Sequence, residues 1–266
     1  MLFAVDIGNT NVVVAVFDKD KILAQWRVAS DTRRTGDEYS STILTLARDA
    51  GIDVSGFDRA VISSVVPALI GPFVIVCQRV CKVQPLVLTS AMATERKLPV
   101  HLPDNSTREL GTDLLCNALA AWEELEQHTN IVVDFGTALT LTVTSSQGEI
   151  LGGTISPGLG TAVKALATNA AQLPFVPLEA PSNVIGATTK SAIQSGIVLG
   201  YKGLVESLVF QVKKELEVRG EKLEDIRVIA TGGLNSVLKP ITECFTAVDK
   251  DLTIKGLLYI SKILQP

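Results

Sequence analysis

The chain has 266 residues, of which 47% are hydrophobic and 20% are charged. Such a composition is typical of a well-packed protein with room for two domains, and it excludes a disordered chain. A net charge of −4 and a pI near 5.3 argue against general binding of nucleic acid, which needs a basic face. No apolar run approaches the ~20 residues that span a bilayer. Because Asp6 interrupts the N-terminal apolar stretch, we predict no signal peptide, no membrane segment and a cytoplasmic protein.

The cysteines give no sign of a metal site. Cys77 and Cys81 are spaced to share one helix face, but no histidine lies near them in the sequence. We therefore predict that they are small apolar core residues.

The first half of the chain predicts a strand meander followed by alternating helices and strands. The predicted strands cover residues 3–7, 12–17, 22–28, 59–63 and 85–88, and the predicted helices cover residues 37–50, 67–80 and 112–127. The last of these helices is amphipathic and is expected to form the hinge between the two halves. A polar loop over residues 97–107 carries two prolines and precedes it.

The second half repeats this order. We predict strands over residues 131–135, 138–143, 150–155 and 226–230, a helix after the turn at 157–160, and helices over 191–218, 235–239 and 253–264.

One short pattern occurs at the start of each half. An apolar run ends in Asp-x-Gly, a Thr follows, and a second apolar run begins; Asp6 and Gly8 correspond to Asp134 and Gly136. The pattern predicts a hairpin whose turn offers backbone N–H groups to phosphate oxygens, with the carboxylate facing a phosphate-bound Mg²⁺. The first copy alone also fits an ordinary hairpin, and the second copy favours the nucleotide interpretation.

The internal repeat predicts the fold class: α/β, a duplicated actin-like (ribonuclease H-like) two-domain nucleotidase fold with an inter-domain cleft. The expected halves are residues 1–110 and 111–266.

Three further motifs each allow two interpretations. The segment 231–235, Thr-Gly-Gly-Leu-Asn, is either a simple strand-to-helix turn or a place where a flat adenine approaches the backbone. Asp113 is either a first-turn acid favoured by the helix dipole or a general base for phosphoryl transfer. The cluster 188–191 is either an N-cap or a contact to substrate.

The motifs together resemble the type III pantothenate kinases of the actin-like kinase superfamily, which begin coenzyme A synthesis. The resemblance covers essentially the whole chain. The matching segments, in chain order, are DIGNTN (6–11), WRV (26–28), DEY (37–39), SSVVP (63–67), GTD (111–113), DFGTA (134–138), GGTISPG (152–158), AIQSG (192–196) and ATGG (230–233).

The resemblance implies a homodimeric kinase that uses ATP, Mg²⁺ and a monovalent cation (K⁺ or NH₄⁺) to phosphorylate the primary hydroxyl of pantothenate. It implies that Asp113 is the general base and that Asp134 binds the monovalent cation. Asp6 is expected to face the Mg²⁺ ion, as the turn pattern predicts. The implied nucleotide-binding residues are Asp6, Ile7, Gly8, Asn9, Thr10, Asn11, Val12, Val13, Thr137, Gly232 and Gly233, and the implied substrate residues are Gly111, Thr112, Asp113, Leu114 and Thr189.

Two departures from the family pattern concern the acceptor. The family has Arg after the general base, where this chain has Leu114, and it has a Tyr in an Asn-Pro loop, where residues 102–108 contain neither. Leu cannot donate hydrogen bonds to a substrate as Arg does. Arg96, Arg108 and Lys190 are candidates to replace the missing cation. A smaller change, Ala15 in place of Gly, is compatible with a strand.

Three alternatives remain open. The first is a kinase of the same fold that phosphorylates another small hydroxyl compound instead of pantothenate. A non-catalytic ATP-binding regulator would have no need of the general base. A phosphate-releasing hydrolase such as an exopolyphosphatase would need a basic channel, and the sequence shows no basic run to line one.

Overall fold

The first strands form the predicted antiparallel meander. The computed structural model describes residues 1–95, 97–103, 110–233 and 235–265. Strand β1 (Leu2–Ile7) pairs with β2 (Asn11–Asp18), and β2 pairs with β3 (Lys21–Ala29). Alternate valines of β2 are fully buried because successive side chains of a strand point to opposite faces.

Helices and parallel strands complete the first sheet. Helix α1 (Gly36–Asp49) begins at a capping box, in which Thr35 and Glu38 satisfy each other's backbone N–H groups. Strand β4 (Arg59–Ser64) then pairs parallel with β1, and after α2 (Pro67–Val76) the short β5 (Leu86–Val87) pairs parallel with β4. The sheet order is β3-β2-β1-β4-β5.

The predicted core role of the cysteines is confirmed. A π-helical turn, Cys77–Cys81, ends the helix that was predicted to run regularly to residue 80. Both cysteines are buried, and burial raises the pKa of the Cys77 thiol to about 12.

Helix α3 (Thr112–Glu124) is shorter than predicted. The prediction that it reaches residue 127 was wrong because Glu126 and Gln127 adopt φ values of 54° and 61°. These left-handed conformations cannot continue a right-handed helix.

The second half repeats the strand order of the first. Its elements are β6 (Asn130–Phe135), β7 (Ala138–Thr144), β8 (Ile150–Pro157), α4 (Leu159–Asn169), α5 (Thr189–Val218), β9 (Arg227–Thr231), α6 (Asn235–Leu238), β10 (Ala247–Val248) and α7 (Leu252–Leu264). The sheet order is β10-β9-β6-β7-β8. In both sheets the first strand lies between the second and the fourth, so the predicted duplication is confirmed. The two-residue β10 was missed because it is too short to show a period.

Spatial contacts group the chain into two units. One unit contains Met1–Ala120 and Leu252–Pro266, and the other contains Ala121–Asp251. The division after residue 110 concerns the repeated halves and stays a prediction; part of the loop before it lies outside the described residues. Across the described ranges, no helix is both long and apolar enough to cross a bilayer.

Candidate active site

The first repeated turn joins β1 to β2. Asp6 is the second-last residue of β1, so its carboxylate is carried by the strand and not by the turn itself. The Gly8 N–H donates to the Asn11 carbonyl over 3.0 Å. Asn9 and Thr10 are exposed at the tip. The structure therefore presents the turn to solvent directly beside a carboxylate.

Ser30, which follows β3, holds this turn in place. Its hydroxyl donates to the Gly8 carbonyl over 2.5 Å, and its backbone N–H donates to the Thr10 carbonyl over 3.1 Å. Ser30 was not predicted from the sequence. The available signal was a hydroxyl residue at the end of the third meander strand. That signal indicates a contact with the turn only once the strand order is known.

The second repeated turn has the same backbone pattern. The Gly136 N–H donates to the Ala138 carbonyl over 3.1 Å, and the Gly158 N–H donates to the Thr137 carbonyl over 2.9 Å. These bonds correspond to those of the first turn, with one residue fewer in the loop. Asp134 again lies second-last in its strand. Both copies of the motif thus have equivalent local structure.

Gly232 lies against the carboxylate of the second turn. Its φ is +86°, and a Cβ at this position would lie 2.6 Å from Asp134 Oδ1 and 2.7 Å from the Phe135 backbone. Packing inside the protein therefore requires this glycine. A Cβ at Gly233, in contrast, would have no atom of the described residues within 4 Å. Leu234 lies outside the described residues, and the approach of a flat ring to this turn stays a prediction.

Thr112 attaches the start of α3 to the end of β4. Its hydroxyl accepts from the Ser64 N–H over 3.1 Å, donates to the Ser64 carbonyl over 3.2 Å, and lies 3.0 Å from the Ser63 hydroxyl. Ser63 is also the parallel partner of Asp6. The hydroxyl of Thr112 thereby sets where the next residue, Asp113, is held.

Asp113 is a largely buried carboxyl in the first turn of α3. Burial raises its pKa above the ordinary value, although its Oδ1 accepts the Leu114 N–H over 2.8 Å. The fully buried thiol of Cys116 has a strongly raised pKa, first because of burial and then because the Asp6 and Asp113 carboxylates lie near it. Two carboxylates of the first unit thus act electrostatically on the same thiol.

The cluster at the start of α5 forms an N-cap. Thr188 is the N-cap residue, and its hydroxyl accepts from the Ser191 N–H over 3.2 Å. The N-cap interpretation of this cluster is confirmed. Thr189 also lines an open cavity of about 600 Å³ in the second unit, together with apolar residues of α4 and α5 such as Leu166 and Ile193.

Burial limits how some of the other predicted site residues could contact a ligand. The side chains of Ile7 and Val12 are fully buried in the core, so only their backbone could reach a ligand. Arg96 and Arg108, two candidate replacements for the missing cation, lie outside the described residues. The side chain of Lys190 is exposed.

The oxygen donors suit hard cations. Among the residues that the structure describes, no group of three or more His, Cys, Asp and Glu side chains is arranged to hold a metal ion. Mg²⁺ is commonly bound through one or two carboxylates together with substrate phosphates and waters. Asp6 beside the first turn is a carboxylate that fits that pattern, and Asp134 beside the second turn offers oxygen to a further cation.

The duplicated sheet, with a carboxylate and a glycine turn at the end of each first strand, defines the actin-like class of two-domain α/β folds. Solved structures share the fold. The match to a conserved Baf family protein of Campylobacter jejuni covers 99% of this chain and 97% of the Campylobacter chain, at a TM-score of 0.58 and 18% identity. The match to the ethanolamine utilization protein EutJ of Carboxydothermus hydrogenoformans covers 97% of this chain and 88% of the EutJ chain, at a TM-score of 0.53 and 14% identity.

Sequence relatives define the family within this class. The family model of type III pantothenate kinase matches residues 2–211. Type III pantothenate kinase of Paramagnetospirillum magneticum is 40% identical over 262 residues, covering 98% of this chain and 97% of the relative. That of Myxococcus xanthus is 39% identical over 261 residues, covering 98% and 97%. The chain belongs to the type III pantothenate kinase family.

Proposed function

We propose that this protein transfers the γ-phosphate of ATP to the primary hydroxyl of pantothenate and forms 4'-phosphopantothenate. The observation that carries the proposal is the position of Asp113. Its carboxyl is largely buried and has a raised pKa, and it acts electrostatically on the same Cys116 thiol as Asp6. A general base and a metal-facing carboxylate in one neighbourhood are what phosphoryl transfer to an alcohol requires.

The chain's own groups divide the work. The two repeated turns offer backbone N–H groups, such as that of Asn9, to phosphate oxygens. The Gly8 and Gly136 N–H groups close the turns themselves. Asp113 accepts the proton of the acceptor hydroxyl as the new bond to phosphorus forms. Its raised pKa makes it a stronger base than an ordinary carboxylate. A bound Mg²⁺ would neutralise charge on the phosphates.

The remaining assignments follow the family resemblance. Asp134 binds the monovalent cation (K⁺ or NH₄⁺), and Asp6 faces Mg²⁺. Gly232 and Gly233 lie beside the nucleotide, and Thr189 contacts pantothenate from the cavity at the start of α5. The assembly is a homodimer in the cytoplasm. The nucleotide cleft expected between the halves stays a prediction.

Leu114 affects the acceptor side of the site. An Arg at this position would donate several hydrogen bonds, and losing one such charged contact costs about 1.5–3 kcal/mol, or roughly ten- to a hundredfold in affinity. We therefore expect a high KM for pantothenate and an ordinary KM for ATP. The variant Leu114→Arg is expected to lower the KM for pantothenate and to leave the KM for ATP unchanged.

The test is a steady-state assay of ADP release with Mg²⁺, ATP and K⁺, with and without pantothenate. We expect release that depends on both pantothenate and K⁺, and release that is at least about 10²-fold slower from Asp113→Asn. ADP release with another small alcohol but not with pantothenate would show that pantothenate is not the acceptor. ATP binding without turnover on any acceptor would favour a regulator.

A further inference from the structure

We propose that Ser30 and Thr161 are positioning residues that orient the two phosphate-binding turns, each by holding a turn carbonyl away from the nucleotide. This inference rests on the proposed function, in which both turns bind ATP phosphates. Neither residue belongs to the sets that the family resemblance implies. Their positions in the fold alone suggest the role.

The first observation is that the third strand of each meander ends beside the turn. After β3, the Ser30 N–H donates to the Thr10 carbonyl over 3.1 Å. After β8, the Gly158 N–H donates to the Thr137 carbonyl over 2.9 Å. The carbonyl that closes each turn is therefore bonded from the same side in both units.

The second observation is that each unit adds a hydroxyl to this backbone bond. The Ser30 hydroxyl donates to the Gly8 carbonyl over 2.5 Å. The Thr161 hydroxyl, from the first turn of α4, donates to the Thr137 carbonyl over 2.6 Å. The two hydroxyls come from different elements but bind carbonyls of corresponding turns.

The consequence follows from the geometry of the peptide group. In a planar trans peptide the C=O and the N–H point in opposite directions. Holding the Gly8 carbonyl toward Ser30 therefore directs the Asn9 N–H away from β3, and holding the Thr137 carbonyl directs the Ala138 N–H away from β8. A flipped peptide would instead turn its carbonyl oxygen toward the phosphate, and the partial negative charge of that oxygen would repel the anion.

Close packing supports the second half of the proposal. A Cβ at Gly158 would lie 2.7 Å from the Thr137 oxygen and closer still to the Gly136 oxygen. The absence of a side chain lets the start of α4 approach the turn carbonyls. Thr161 thus reaches Thr137 from a helix held directly against the turn.

The test compares hydroxyl deletions with matched controls. Ser30→Ala and Thr161→Val remove the hydroxyls, while Ser30→Thr and Thr161→Ser retain them. Two controls remove hydroxyls that bond to helix carbonyls outside the site. Ser41→Ala removes a 3.0 Å bond in α1, and Thr168→Val removes a 2.8 Å bond in α4, the helix that carries Thr161.

Calorimetry should measure the Kd for ATP, ADP and adenosine, and kinetics should measure KM for each substrate. A net hydrogen bond of ordinary strength corresponds to about a three- to tenfold change. We expect the Kd for ATP and ADP, and the KM for ATP, to rise by that factor in the two deletions. The Kd for adenosine and the KM for pantothenate should not change, and the hydroxyl-retaining variants and the controls should match wild type.

Two results would overturn the inference. One is an unchanged Kd for ATP in both deletions, and the other is an equal loss of ATP and adenosine binding, which would indicate general damage. If wild type binds ATP but does not phosphorylate pantothenate, the proposed function fails alone and the binding comparison still decides this inference. A wild type that binds no ATP would overturn both.

Discussion

The carboxyl of Asp113 determines how activity should depend on pH. Its pKa is raised by burial, and a general base must be ionised to accept a proton. We expect kcat/KM to fall as the pH drops through a pKa above the ordinary value of 3.8. The variant Asp113→Asn should lose about 10²- to 10⁴-fold in kcat. An acid limb that persists in the residual activity of Asp113→Asn would assign it to another group.

The same carboxyl should lower stability at neutral pH. Because its pKa in the folded state exceeds that in the unfolded state, its contribution to stability is favourable when protonated and is lost as the pH rises through the folded pKa. Asp113→Asn should therefore have a higher free energy of unfolding than wild type at pH 7. Urea titrations across the pH range should show this difference shrinking toward pH 3.8. A constant difference would contradict the assignment.

Thr112 should control the position of Asp113. Thr112→Val keeps the shape of the side chain but removes the acceptor of the Ser64 N–H. We expect a loss of about 1–3 kcal/mol in the free energy of unfolding and a fall of roughly ten- to a hundredfold in kcat. Urea unfolding and steady-state kinetics measure the two effects. Thr112→Ser, which keeps the hydroxyl, should restore most of both, and equal defects in the two variants would exclude the hydroxyl as the cause.

Residues that carry a motif were predictable, and residues that support the motif were not. Asp6 and Asp134 follow from a repeated local pattern, and the structure places both second-last in their strands. Ser30 and Thr161 act through tertiary contacts whose partners lie 22 and 24 positions away. No local pattern encodes such a contact, so these residues required the fold.

At the level of elements, the two neighbouring glycines of the turn after β9 should differ in how well they tolerate substitution by alanine. Gly232→Ala would place a Cβ at φ +86° and within 2.7 Å of Asp134 and the Phe135 backbone. We expect a loss of at least about 1–3 kcal/mol of stability. Gly233→Ala, whose Cβ would meet no described atom within 4 Å, serves as the matched control for thermal unfolding. Equal melting temperatures for the two variants would contradict this description of the turn.

The strands and helices were largely predictable because their burial patterns follow the periods of 2 and 3.6 residues. The β2 valines and the helix that became α1 are examples. Errors occurred where short-range geometry interrupts a periodic pattern. The left-handed residues Glu126 and Gln127 end α3 early, and the π turn at Cys77–Cys81 alters the end of α2.

At the scale of the whole molecule, the C-terminal helix belongs with the first unit. Helix α7 packs near α3, and a Cβ at Gly256 would lie 2.5 to 2.7 Å from backbone atoms of Cys116. Gly256→Ala should therefore push α7 from α3 and destabilise the protein by about 1–3 kcal/mol. Since α3 also carries Asp113, kcat should fall as well.

A glycine of α5 provides the control for that substitution. A Cβ at Gly203 would meet no atom of the described part of the chain within 4 Å, and Ala is favoured over Gly in a helix interior by about 0.5–1 kcal/mol. Gly203→Ala should therefore raise the melting temperature, whereas Gly256→Ala should lower it. A rise for both variants would mean that α7 is not packed tightly on α3.

The duplicated architecture was predictable from the paired motifs, but the division into units was not. The return of residues 252–265 to the first unit depends on packing between segments at opposite ends of the chain. The sequence shows α7 as an apolar helix and contains no signal for the sheet that it covers.

The most direct test of the central claim is detection of the product. Purified protein should be incubated with ATP, Mg²⁺, K⁺ and pantothenate, and the small molecules should be analysed by mass spectrometry beside an Asp113→Asn control. We predict that wild type forms pantothenate carrying one added phosphate, in an amount equal to the ADP formed, and that Asp113→Asn forms almost none. ATP consumption that leaves pantothenate unmodified would contradict the account.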